Sequence, residues 1–385
     1  MTEKLYYLDS HLREFTAVVR SCEEQKGGWA VTLDRTAFFP EGGGQPADTG
    51  TIGEARVLDV HEKNGRILHS VDRPLTAGES YPCALDWEQR LRRMQNHTGE
   101  HVVSGLIYRE HGFDNVGFHM GADCMTMDYS GELSWEELMR IEQLANETVR
   151  ADLPLHIWFP EGEELARLIY RSKLELTENV RIVEIPGVDR CACCAPHVER
   201  TGEVGVIKIL DSQRHRGGQR VSVICGLDAL EDYRARQESV TDISRALSAK
   251  RGEVTQAVQR VLHEQQSMKE RCDALSLALI RYMADAEGER EGNIVLFSEV
   301  LGEIAQRELV NLLMPKAGGF AAVFVGSDKD GWRYVIGSLH ADLRAGARTI
   351  NAAISGRGGG TPQMIQGSAT APRAKIEDAL KALNV

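Results

Sequence analysis

From the N-terminus to about residue 85, apolar and polar positions alternate in short runs. "FTAVVRSC", "GWAVTLDRTAFFP" and "ARVLDVHEKNGRILHSV" are the clearest, with Gly and Asn turn signals between them. A period of two puts one side of each run in a core and the other in water, so this segment is expected to be a small, strand-rich, β-barrel-like module. At Asp86 the period changes. In "DWEQRLRRMQNHTGEHVVSGLIYREHG" the residues Leu91, Met94, His97 with Thr98, His101 and Gly105 share one helical face, with Asp86 at the N-cap position and Gly112 as a stop. A second helix is predicted from Ser134 to Ala151, opened by a Ser-x-x-Glu capping box. Strand-like stretches follow at "VRIVEIPGVD", "GEVGVIKIL" and "QRVSVICG", so residues 86–226 read as an α+β domain.

From Leu230 to Ala284 there is no proline. Val240, Ile243, Leu247, Val254, Ala257, Val261, Met268, Leu275, Ala278 and Tyr282 form a heptad-like apolar series, with polar breaks at Lys250, Glu264 and Arg271. Two readings fit: a coiled-coil spacer that doubles as a homodimer seam, or an amphipathic hairpin packed on its own domain. Beyond Gly292, "NIVLFSEV", "FAAVFVG" and "WRYVIGS" alternate with helical patterns, which suggests a small α/β domain. The expected architecture is therefore α+β and multidomain: a β-rich module over 1–85, an α+β domain over 86–226, a helical linker over 227–290 and an α/β domain over 291–385.

Composition narrows the function classes. At 385 residues the chain is too long for one ordinary core, and 42% hydrophobic with 26% charged residues excludes global disorder. No run approaches the roughly 18 apolar residues a membrane span needs. The opening "MTEKLYYLDSHLREF" lacks the positive-then-apolar pattern of an export signal, so a cytoplasmic protein without a membrane partner is expected. In that setting the eight cysteines read as thiols or metal ligands rather than as a disulfide framework. A net charge of −12 argues against general coating of nucleic acid but permits a local patch. From His340 onward Arg344, Arg348, Arg357, Arg373, Lys375 and Lys381 face only Asp342, Glu377 and Asp378. A solvated surface of mixed charge explains that bias equally well.

The densest chemistry lies in "RCACCAPHVER", where Cys191, Cys193, Cys194 and His197 crowd together. His97 and His101, four apart on the predicted helix, project from one face and are spaced to share an ion. Cys193 and His197 repeat the spacing, but Pro196 removes a backbone donor and makes Ala195 extended, so this pair is expected on a loop. Nitrogen and sulfur donors of this kind favour tetrahedral Zn²⁺ over Mg²⁺ or Ca²⁺. Four protein ligands make a closed, structural site; a labile His197 would open it for chemistry. A redox role for Cys191 and Cys194 ranks low, because no Cys-x-x-Cys sits at a βα turn. "HTGEH" also fits His-x-x-Glu-His, the inverzincin metalloprotease motif, with Glu100 as general base.

"FFPEGGGQPADTG", "NHTGEH" and "CCAPHV", in that order, resemble the AlaX-type alanyl-tRNA editing proteins, which are similar to the editing and C-terminal parts of alanyl-tRNA synthetase. "SGRGGGTPQMIQG" resembles the glycine-rich signature of the DHHA1 domain that closes the long form of that family. The resemblance spans nearly the whole chain. It implies a zinc site on His97, His101, Cys193 and His197, and hydrolysis of tRNA(Ala) mischarged with serine or glycine. It departs from the family at Cys194, Ala195 and Pro196, where Gly-Gly-Thr is frequent, and at Ser355, where a glycine is usual. A pocket built on a substrate hydroxyl rejects the deoxy analogue strongly. Thr36 and Thr98, beside the glycine loop and the first ligand, are the candidate catalytic residues for that contact. Gly42, Gly43, Gly44 and Gln45 are candidates for shaping access to the aminoacyl end, and Arg357 for an RNA phosphate. No Asp-His-His motif and no ATP-binding aminoacylation signature is present, which removes phosphoesterase and ligase activities. A noncatalytic, zinc-stabilised tRNA-binding protein is the alternative from another class.

Overall fold

In the computed structural model, which describes residues 2–172 and 180–381, the alternating N-terminal runs become strands: β1 (Glu3–Lys4), β2 (Glu14–Gln25), β3 (Gly28–Leu33), β4 (Arg35–Thr36), β5 (Gly50–Ile52), β6 (Ala55–Lys63), β7 (Arg66–Val71) and β8 (Ser80–Leu85). Six of them close a barrel in the order β2-β3-β7-β6-β5-β8, and β1 and β4 form a short parallel pair. Inward positions on each strand, among them Val19, Val31, Leu33, Val57, Val60 and Ile67, fill the interior with Phe38 and Phe39. Fully burying one such aliphatic side chain is worth about 1.5–3 kcal/mol.

The period change at Asp86 starts α1 (Trp87–His111), and Gly112 ends it at φ 72°. Asp86 occupies the N-cap position but does not cap. Its carboxylate instead accepts from Thr49 Oγ1 and from Arg56, whose Nη1 lies 3.0 Å away, so the barrel takes the side chain from the helix. Then come β9 (Asn115–Met120), β10 (Met125–Tyr129) and α2 (Trp135–Arg150), the last opened by the expected capping box of Ser134 and Glu137. β11 (His156–Trp158), α3 (Gly162–Arg167), β12 (Ile182–Ile185) and β13 (Asp189–Ala192) follow, then β14 (Ile207–His215) and β15 (Gly218–Cys225). Two antiparallel sheets result, β14-β15-β10-β9 and β11-β12-β13. α1 and α2 bury Met94, Val102, Leu106, Leu138 and Ile141 against Met125, Met127, Val221 and Val223 of the larger sheet.

Barrel and sheets together form one compact unit, Met1–Ser239, and Val240–Val385 form another. The predicted helical stretch is two helices, α4 (Gly226–Ala246) and α5 (Val254–Ala286), broken around Lys250 where Ser248 adopts φ 50°. On α5 only Ala257, Ile280 and Ala284 are buried; Leu262, Met268, Leu275 and Tyr282 of its apolar face are exposed. The rest of the second unit is β16 (Ile294–Ser298), α6 (Glu303–Leu313), β17 (Ala321–Ser327), β18 (Gly331–Gly337), α7 (Leu343–Ala353), β19 (Gly356–Gly360), β20 (Met364–Ala369) and α8 (Arg373–Lys381). Its sheet runs β16-β17-β18-β20-β19, with only the β16–β17 pair parallel. Ala321, Val323 and Val325 face α6, while Ala322, Phe324 and Tyr334 pack with Ile350 of α7 and Ile376 of α8. No helix among the described residues is long and apolar enough to cross a membrane.

Candidate metal centre

The 25-residue helix α1 sets the first half of the site. His97 and His101 are 3% and 2% exposed, with ring centroids 5.6 Å apart on the helix face turned inward. The second half comes from the segment after β13, which carries no helix, as Pro196 dictates. There the fully buried Ala195 packs into the barrel core, and its neighbours Cys193 and His197 turn towards α1. Cys193 Sγ lies 3.5 Å from His97 Nε2 and 3.4 Å from His197 Nε2. The His197 ring is 4.9 Å from His97 and 4.6 Å from His101. One ligand atom from each of the four residues falls within 4.8 Å of all the others. Donors about 2.0–2.3 Å from a tetrahedral zinc stand roughly 3.3–3.8 Å apart, so the set fits such an ion with a small contraction.

Each imidazole has its other nitrogen occupied. His97 Nδ1 meets Gln45 Oε1 at 2.8 Å, His101 Nδ1 meets Asp189 Oδ2 at 2.9 Å, and His197 Nδ1 meets Thr98 Oγ1 at 3.0 Å. With the Nδ1 protons donated outward, the three Nε2 lone pairs converge, the outer-sphere arrangement that orients metal ligands. Titration behaviour divides: burial opposes charging His101, yet Glu100 and Asp189 beside it raise it well above its ordinary value. Burial alone would raise the Cys193 thiol, but the neighbouring imidazoles of His97 and His197 hold it well below its ordinary value. Burial pushes His197 down to about 3, so that ring is neutral and able to ligate. Cys191 is different: burial pushes its thiol up to about 11, and all eight cysteines are free, which leaves the redox reading without support.

A cavity of about 820 Å³ opens beside the cluster, lined by His97, His101 and Cys193 but not by His197. Gly43 and Gly44 form part of its wall. The turn is closed by paired hydrogen bonds between Gly42 and Gln45, 3.1 and 3.0 Å. Gly44, at φ 83°, sits so tightly on β9 that a Cβ there would lie 2.5 Å from the Phe118 carbonyl oxygen. Phe118 in turn stands 5.0 Å from the His97 ring. A second glycine has the same duty inside α1. A Cβ at Gly105 would meet the Val188 carbonyl at 2.5 Å, so only glycine lets the turn before Asp189 approach closely enough to reach His101.

The remaining sequence candidates divide. Gln45 is fully buried behind His97 and holds that ring instead of lining the cavity. Thr98 does the same for His197 and is fully buried. Thr36 sits in the barrel interior, its hydroxyl 2.9 Å from His69 Nε2 and accepting from the Phe38 N–H, so neither threonine reaches the cavity wall. Their hydroxyls are drawn to buried partners, because an unpaired one would carry a desolvation cost. Arg357 belongs to the other unit, exposed on the edge strand β19.

Asp189, Arg171 and Arg181 carry no signal of a site role in the sequence, and Glu100 carries one only through the His-x-x-Glu-His pattern. Glu100 lines the cavity with Oε2 3.7 Å from His101 Nε2, while Ser104 Oγ, at 2.8 Å, and Asn115 Nδ2, at 2.5 Å, both donate to its Oε1. Its place inside "HTGEH" was the available signal. Asp189 is bridged by the Arg171 fork at 2.7 and 2.8 Å, and nothing in the local sequence announces that pairing.

A family profile described as "Threonyl and Alanyl tRNA synthetase second additional domain" matches residues 180–222, the stretch that carries Cys193 and His197. The Pyrococcus horikoshii protein named alanyl-tRNA editing protein AlaX-L is 30% identical over 402 residues, covering 98% of this chain and 97% of its own. The chain belongs to the AlaX-type alanyl-tRNA editing proteins. Other relatives of this family member are alanine-tRNA ligases. Those of Methanopyrus kandleri and Halorubrum lacusprofundi are each 33% identical, over 98% and 99% of this chain but only 44% and 43% of the ligase. A solved structure, the C-Ala domain from Aquifex aeolicus alanyl-tRNA synthetase, matches 25% of this chain and 92% of that one at 24% identity, with a TM-score of 0.21.

Proposed function

We propose that this protein is a zinc-dependent hydrolase of the ester bond in mischarged tRNA(Ala), with seryl-tRNA(Ala) as its main substrate and glycyl-tRNA(Ala) as its second. One observation carries the reading. In a chain that aligns end to end with an editing protein, three imidazole nitrogens and a cysteine sulfur converge at the wall of a cavity large enough for an aminoacylated nucleotide end. His97, His101, Cys193 and His197 would hold the ion, which supplies Lewis-acid polarisation and a more acidic water. Glu100, steadied on Oε1 by Ser104 and Asn115 and 3.7 Å from His101 Nε2, is the cavity carboxylate we assign to take the proton of the attacking water. Phe118 and the Gly43–Gly44 turn shape the approach to His97. Exposed Arg357 and the apolar face of α5 are read as an RNA-contacting residue and a self-association surface.

The test is direct. Purified protein should carry about one zinc per chain and release serine from seryl-tRNA(Ala) while sparing alanyl-tRNA(Ala). Equal hydrolysis of both, or full activity in a His97→Ala/Cys193→Ala double variant, refutes it. The four-ligand set also favours a second reading, a noncatalytic tRNA-binding protein in which zinc only holds the fold; tRNA affinity without turnover would select it. The metalloprotease alternative lacks support, since its third ligand is a carboxylate and the partners of the helical pair here are Cys193 and His197.

A further inference from the structure

Two arginines line the cavity, and they are held in different ways. Arg171 is compensated by the forked pairing with Asp189. Arg181, just before β12, is 5% exposed and has no such partner. Its Nη1 donates to the carbonyl oxygens of Cys193 at 2.9 Å and Ala195 at 2.8 Å, its Nε is buried without an acceptor, and its guanidinium carbon lies 5.2 Å from the centre of the Tyr7 ring. No described carboxylate lies within 4.0 Å of it. Two carbonyl dipoles satisfy donors but leave the net charge, and the nearby sulfur that counters it most, that of Cys193, is taken up by the metal in the deacylase reading. A buried cation without a counter-ion is costly, and it persists where a ligand brings the anion.

We infer that Arg181 receives the phosphodiester of the terminal nucleotide that carries the aminoacyl group into the cavity. The inference rests on the deacylase reading and deepens it. Such a substrate has a neutral ester, one cation in its α-ammonium, and permanent negative charge only on its phosphates. Among the cavity's acidic side chains Asp114 suits the ammonium, and Arg181 is the cation there with no described carboxylate beside it. Tyr7, beside it on the same wall, offers an aromatic surface of the kind against which nucleotides stack. Because Arg181 also grips the Cys193 and Ala195 carbonyls, one loop would register both the RNA end and the metal ligand.

The experiment compares seryl-tRNA(Ala) with 2′(3′)-O-seryladenosine, which has no phosphodiester, in the full-length zinc-loaded protein and in Arg181→Met and Arg181→Lys. Arg181→Met should lose about 10- to 100-fold more kcat/KM on the RNA than on seryladenosine, chiefly through KM. Its log affinity against log salt should be shallower by roughly 0.7–1. Arg181→Lys should regain part of the loss. Equal losses on the two substrates, or an unaltered salt slope, overturn the assignment. An arm with the unaltered protein covers a variant that fails to fold or to keep zinc: adenosine 5′-monophosphate should bind at least about tenfold tighter than adenosine, and equal binding overturns it. Absence of serine release by the unaltered protein would instead refute the deacylase reading, independently of the nucleotide comparison.

Discussion

Removing the Asp48 carboxylate should loosen the candidate metal centre from a distance. Arg90, two turns before His97 on α1, is 1% exposed and Asp48 2%, and the pair joins the helix to the barrel. Arg90 gives Nε to Asp48 Oδ2 at 2.9 Å and Nη2 to the same oxygen, with Nη1 on the Ser10 carbonyl at 3.2 Å and a further bond to the Ala37 carbonyl. The same Oδ2 accepts from the Phe39 N–H at 2.7 Å, at the base of the glycine loop. Asp48→Ala therefore strands a buried guanidinium and a buried amide. Breaking one side of such a pair costs about 3–5 kcal/mol, whereas replacing both partners by apolar groups is often near neutral. For a unit of this size, Tm moves about 2–4 °C per kcal/mol, which places the expected loss at roughly 6–20 °C. Thermal and urea melts of Asp48→Ala, Arg90→Met and the Asp48→Leu/Arg90→Met double variant measure it. The double variant should recover most of the loss. A single-variant cost below about 1 kcal/mol, or a double variant no more stable than Asp48→Ala, would show that this pair does not hold α1 to the barrel.

Three other outcomes follow from neighbouring features. His69 is fully buried between Thr36 and the Val31 carbonyl, and burial lowers it from 6.5 to about 4. Between those values the unfolded chain binds the extra proton, so stability is intact above about pH 6.5 and falls by about 1.4 kcal/mol per unit of acidification, near 3 kcal/mol in total by pH 4. His69→Gln should flatten that part of a stability-against-pH curve, and an unchanged slope would exclude His69 as its source. Asp189→Asn, which weakens the hold on His101 and Arg171, should lower zinc affinity about 10- to 100-fold in a chelator competition; unchanged affinity would refute the outer-sphere role. Gly44→Ala faces both a left-handed backbone and the Phe118 carbonyl, so a cost of about 1–3 kcal/mol is expected, against less than about 1 kcal/mol for Gly42→Ala, where the nearest atoms are 3.8 Å away. Similar costs for the two would mean that the turn shifts freely.

Local physics alone settled a good deal of this protein. The switch from a period of two to 3.6 at Asp86, the capping box at Ser134 and the Gly112 stop are matched by the elements that form, because each depends on residues a few positions apart. The i,i+4 spacing of His97 and His101 makes them neighbours on any helix, and Pro196 keeps the Cys193–His197 segment out of one. Tertiary structure decided what each polar side chain meets. Thr36, Thr98 and Gln45 were natural substrate contacts by position, yet burial obliges each to pair with the nearest inward group, and those groups are His69, His197 and His97. Asp86 left its helix for Thr49 and Arg56 on the barrel. Arg181 and Cys193 are twelve residues apart, and only the β12–β13 pairing brings that guanidinium onto the metal loop's carbonyls. Periodicity reports which face of an element is buried; the partner across that face comes from chain closure at long range, which no local pattern encodes.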